Sequence, residues 1–108
     1  MKRTALTLLL VACIATSAAA DALIAEKRKL YALGTAGVEY CPQITNPWFA
    51  LGSIGYDMNT DNNEYQRYAA EEKNWFETFR KVGSRDVVCE LLMQKYGPGA
   101  DFELFRWK

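Results

Sequence analysis

The stretch DNNEYQRYAAEEKNWFETFRKVG, from Asp61 to Gly83, carries the longest uninterrupted helical period in the chain. Tyr65, Tyr68, Ala69, Glu72, Trp75, Phe76, Phe79 and Val82 recur at steps of three and four, so they share one face of an α-helix. All but Glu72 are apolar or aromatic. Asp61 is placed to accept hydrogen bonds from the first free amides while Glu64 reaches back, as in a capping box, and Gly83 supplies the stop. The aromatic face is expected to pack against the helices before and after it.

Those neighbours are legible on both sides. Between Asp21 and Tyr40, Leu23, Ile24, Leu30, Tyr31 and Val38 fall on one helical face with Gly34 and Cys41, while Glu26, Lys27, Arg28 and Lys29 form a solvated surface. Gly34 and Gly37 leave two outcomes: a long helix that tolerates them where another backbone comes close, or a break near Thr35. Pro42 ends the helix in both cases, because the residue before a proline is pushed out of helical geometry. Asn46 as cap and Pro47 at the first helical position predict a short, buried helix through Trp48, Phe49, Leu51, Gly52, Ile54 and Gly55 to about Tyr56.

After the central helix, Ser84 caps a further one, with Asp86 in its first turn. Val87, Val88, Leu91, Leu92 and Tyr96 form its apolar stripe, with Cys89 one position off, and Gly97 closes it before a Pro98-Gly99 turn. The tail from Asp101 to Lys108 suits either a short helical turn or an extended arm. These segments predict an all-α fold, about four helices in one small domain.

At the N-terminus, Lys2 and Arg3 precede an apolar run from Ala5 to Ala15 and then a series of small residues ending in Ala18-Ala19-Ala20. This is the layout of a secretory signal peptide spanning residues 1–20, with residues 21–108 as the exported domain. The apolar run is shorter than the ~20 residues a membrane span needs. A second outcome rests on Leu10-Val11-Ala12-Cys13, which resembles the lipobox of bacterial lipoproteins and would leave a lipidated Cys13 as the first mature residue. Membrane attachment is expected only in that case. Without Lys2 and Arg3 the 13 basic residues fall to 11, against 13 acidic ones. No basic patch then argues for nucleic acid.

Cys41 and Cys89 are the two cysteines of residues 21–108, and an exported pair oxidises. A single disulfide between them closes a loop of about 49 residues and stabilises the fold by roughly 4 kcal/mol in the chain-entropy model. For a domain this small that is a large share of a total of about 5–10 kcal/mol.

The chain contains no histidine, which removes Ser-His and Cys-His nucleophiles and histidine metal sites. With the cysteines paired, zinc and iron–sulfur ligation go too. No cofactor, no metal and no catalytic residue is therefore expected. Glu72, the one charge on the aromatic face, is the single candidate acid: burial beside Trp75 and Phe76 would raise its pKa, and partnered with Asp57 or Glu64 it would suit a carboxylate-dependent cell-wall hydrolase or lyase. Asp57, Asn59, Asp61, Asn63 and Glu64 alternate oxygen ligands as calcium loops do, but Asn62 stands where an EF-hand needs glycine and Tyr68 where it needs glutamate.

The three tryptophans, six tyrosines and five phenylalanines all lie within residues 21–108. Phe102, Leu104, Phe105 and Trp107 in the tail either fold back onto the core or form an exposed patch for a partner, with Phe102, Phe105 and Trp107 as its contacts. Cys41-Pro42, with Val88-Cys89-Glu90-Leu91 and Tyr96-Gly97-Pro98-Gly99, resembles uncharacterised two-cysteine exported proteins of alphaproteobacteria. The layout is also similar to the HdeA-type periplasmic acid-stress chaperones. That resemblance implies a cleaved leader, a helical fold and one disulfide joining two helices. The functional expectation is a non-enzymatic periplasmic or secreted protein that acts by binding another periplasmic protein, as an inhibitor, immunity protein or chaperone does. A cell-wall enzyme and a lipid-anchored envelope protein are the alternatives.

Overall fold

The computed structural model describes the backbone from residue 2 and the side chains from residue 19. The apolar run from Ala5 to Ala15 and Cys13 lie outside the residues whose side chains are described. In chain order the elements are α1 (Lys2–Tyr40), β1 (Ile44–Thr45), α2 (Ala50–Ile54), α3 (Glu64–Val82), α4 (Arg85–Tyr96) and β2 (Arg106–Trp107). The fold is all-α among the described residues, apart from a two-stranded antiparallel ribbon that pairs Ile44 with Trp107 and Thr45 with Arg106.

Helix α1 runs through Gly34 and Gly37 without a break at Thr35. Side chains, not another backbone, explain both glycines. A Cβ at Gly34 would lie 2.8 Å from Leu51 and 3.0 Å from Leu104, and one at Gly37 would lie 2.6 Å from the ring of Phe105. Each glycine weakens the helix by about 1 kcal/mol relative to alanine. Full burial of Leu104 and Phe105 against the same turns offsets this, at about 1.5–3 kcal/mol per side chain.

The tail thus folds back as an extended arm. Leu104 and Phe105 donate their amides to the Tyr96 carbonyl at 2.7 and 3.0 Å, and Lys108 donates to Gln43 at 2.9 Å. Around them Leu33, Ala36, Ile44, Phe79, Val88 and Leu92 complete the core. Inside it, the Cys41–Cys89 disulfide spans 5.8 Å between Cα atoms and ties the end of α1 to α4.

The second helix differs from its prediction. It spans only Ala50–Ile54 and starts after Phe49 with no side-chain cap, while Asn46 turns its amide inward to the carbonyls of Gly34 and Leu104, at 3.2 and 3.0 Å. The segment is not uniformly buried: Trp48, Gly52 and Ser53 face solvent, and nothing stands close to Gly52.

Helix α4 has the expected cap, with Ser84 accepting from the Val87 amide. Its buried residues are Val88, Cys89 and Leu92, while Val87 and Leu91 are largely exposed. Cys89, bonded to Cys41 in the core, belongs to the buried face of α4. No helix among the described residues is long and apolar enough to cross a membrane.

Candidate functional site

Glu64 is the most deeply buried charge among the described residues, at 1% exposure. It does not close a capping box. Helix α3 begins at Glu64 itself, after Asn63, and the carboxylate points into the protein to meet Arg28 of α1. Arg28 Nε donates to Oε1 at 2.5 Å, the Tyr56 hydroxyl donates to the same oxygen at 2.7 Å, and Arg67 donates to Oε2 at 3.0 Å. The Arg28 hydrogen bond leads in holding Glu64 down to about 2, with Tyr56 and Arg67 adding to it against the effect of burial. Burial, helped by the neighbouring carboxylate, pushes Tyr56 up to about 12. Two cations satisfy this carboxylate, and it stays ionised at neutral pH, which unfits it as a proton donor there.

The loop before α3 uses its oxygens locally. Asp57 accepts from the Asn59 amide at 2.9 Å, and Asp61 accepts from Asn63 at 2.7 Å and from Arg67 at 2.9 Å. These are Asx turns and an ion pair, which set the loop's shape. The Arg67 hydrogen bond holds Asp61 below the usual carboxylate range.

Glu72 is half-buried between α1 and α3, where Thr35 Oγ1 donates to it at 2.6 Å and the Tyr68 hydroxyl at 3.0 Å. Its surroundings are hydroxyl-bearing; the Trp75 indole instead donates to the Lys29 carbonyl at 3.0 Å. Glu72 does not line the clefts described below, and eight residues along one helix set its backbone about 12 Å from that of Glu64. A glycosidase pair needs two carboxyl groups about 5–10 Å apart with one of them able to carry a proton, and Glu64 is committed to Arg28, Tyr56 and Arg67. Of the central helix's aromatic face, only Phe79 is fully buried; Tyr68, Trp75 and Phe76 are half-buried and Tyr65 is exposed.

The tail aromatics separate. Phe105 is in the core, Phe102 is half-buried, and Trp107 keeps 48% exposure. Because successive strand residues point to opposite faces, Trp107 lies on the side of its partner Ile44, and Arg106 lies on the other side.

On that other side stands a residue the sequence placed in a buried helix. Trp48 is 92% exposed, the most exposed large apolar side chain described. Its ring meets Phe49 edge-on at 5.7 Å, and the Arg106 guanidinium sits 5.6 Å from the Phe49 centroid while bonding Glu103 at 2.6 Å. The backbone beneath is held firmly: Asn46 is bonded twice to the core, Pro47 is buried, and Ala50 donates to the Pro47 carbonyl at 2.9 Å. The signal available in the sequence was Asn46-Pro47-Trp48 itself, a rigid turn followed by tryptophan. A helical reading of the same residues hid it.

A second feature lies between α3 and α4. An apolar cleft of ≈ 200 Å³ is walled by Trp75, Phe79 and Val82 on α3 and by Val88 and Leu91 on α4, over a floor of Leu33 and Leu92. Lys95 is the only charged side chain that lines it. No family model, curated protein or solved structure matches this chain.

Proposed function

We propose that this is an exported, disulfide-bonded helical protein that acts by binding another protein, with Trp48 as the anchor of the contact surface. The observation that carries this is an indole at 92% exposure on a turn that is otherwise locked. Leaving so large an apolar group in water does nothing for the fold. Tryptophan and arginine are the residues over-represented among binding hot spots, and Trp48, Phe49 and Arg106 supply that chemistry in one contiguous patch. A rigid turn also lowers the ordering cost of association. The leader-like residues 1–20 and a disulfide suited to an oxidising compartment support a periplasmic or secreted location.

The test is a Trp48→Ala exchange in the protein expressed from its full reading frame. Chemical cross-linking in the native envelope is expected to trap a defined partner with the wild type and to lose it with Trp48→Ala, while the unfolding midpoint stays the same. Equal cross-linking of the two proteins rejects Trp48 as the anchor. Intact mass of the envelope-derived protein, expected to start at Asp21, checks the export half of the proposal.

A further inference from the structure

We propose that the cleft between α3 and α4 is a binding site for a free medium-chain fatty acid, distinct from the Trp48 surface. Its inner side is well packed: Leu33, Phe79, Val88 and Leu92 are all buried. The Trp75 hydrogen bond to the Lys29 carbonyl fixes one wall. The space is therefore built into the fold, between α3 and α4 over Leu33 of α1 and Leu92 of α4.

Size and charge select the occupant. A cavity of ~150 Å³ lined by aliphatic and aromatic groups takes a six-carbon ring, so ≈ 200 Å³ takes a chain of roughly eight carbons. This is below the ~300–1,000 Å³ of sites that enclose drug-sized ligands. The lining is apolar except for the Thr78 hydroxyl, which is already donated to the Asn74 carbonyl, the Tyr96 side chain and Lys95. An apolar tail with one negative charge matches a cleft with one lysine among its lining residues. Past Trp75 and Tyr96 the surface continues into a second depression that holds Leu30, Glu26 and Lys29, where the charges are balanced. The anionic preference therefore belongs to the Lys95 end.

The experiment is a titration of the oxidised, full-chain gene product with octanoate, followed by the indole N–H resonances of its tryptophans. Saturable movement of the Trp75 signal, with that of Trp48 unmoved, is the expected result. Lys95→Met should weaken octanoate about three- to fivefold and leave octanol unchanged, the scale of one partly exposed ion pair. Thr78→Trp, an exchange at an exposed position on the cleft wall, should abolish binding of both without changing the fold. The proposal is overturned if the Trp75 signal does not move. Equal binding of octyltrimethylammonium, octanoate binding that survives Thr78→Trp, or occupation of the cleft by a second copy of the chain or a partner helix in place of octanoate would each overturn it too.

Discussion

The two ends of α3 meet the rest of the protein by opposite means. At its start Glu64 is held by Arg28, Tyr56 and Arg67 through directional bonds of 2.5–3.0 Å. Over its last two turns Trp75, Phe79 and Val82 meet α1 and α4 mainly through apolar contact, with an adjoining cleft of ≈ 200 Å³. Hydrogen-bonded charge is selective for one geometry and one protonation state, whereas apolar contact responds to volume. One end therefore sets how α3 is oriented on α1. The other tolerates an imperfect fit, and that tolerance leaves room for a ligand.

The largest effect is expected at the apolar end. Phe79→Ala removes the one fully buried residue of the central aromatic face and should cost about 3–5 kcal/mol in urea unfolding. Against a total of about 5–10 kcal/mol, this approaches complete unfolding. At the polar end the sharper test keeps the shape. Glu64→Gln is nearly isosteric, yet it leaves Arg28 beside a neutral amide and should cost about 2–3 kcal/mol. A loss below about 0.5 kcal/mol would remove the contrast between the two ends.

Acid titration separates them without mutation. A carboxylate whose folded pKa is depressed stabilises the protein fully above its unfolded value, and that contribution is lost as the pH falls through the folded value. For Glu64 the window runs from 4.5 down to about 2. Wild type should lose stability across that window, and Glu64→Gln should follow a flatter curve; parallel curves would show that the network does not govern acid stability. The same window sets when the network opens. The contact between α1 and the start of α3 should hold in mild acid and release only near pH 2–3. The tyrosines give the opposite sign. Tyr56 and Tyr68, both raised from 10 to about 12, contribute stability below pH 10 that is lost as the pH rises toward 12. Tyr56→Phe should reduce that alkaline loss.

Smaller effects complete the series. Phe79→Leu keeps an apolar side chain of similar size and should cost about 1–1.5 kcal/mol, less than Glu64→Gln, although it changes more atoms. Trp48→Ala should shift unfolding by less than about 0.5 kcal/mol, as expected of an exposed side chain. A larger loss would mean that the Trp48 turn is part of the fold and not a surface held out for a partner.

Local chemistry made much of the framework legible. Ser84 and Gly97 bound α4, Pro42 follows the end of α1, and Cys41 and Cys89 pair. Each depends on groups close in sequence, or on a pairing with no competitor in residues 21–108. Helical periodicity also located α3, but it could not tell which residues of the face are covered, because that depends on where α1 and α4 cross it. Tyr65 and Val82 share a face with Phe79, yet both are largely exposed.

What the residues decided by themselves was a helical chain with one staple and no histidine chemistry. The tertiary structure decided the rest. Glu64 had a local role as the partner of a cap, and it became a buried ion-pair acceptor because Arg28, 36 residues earlier, reaches it. Asn46 had a local role as a cap, and it became a core clamp because the carbonyls of Gly34 and Leu104 converge on its amide. That exchange freed Trp48 from a helix and left it in water. A polar side chain takes the best partner within reach, and which partners are within reach is settled only when distant parts of the chain come together.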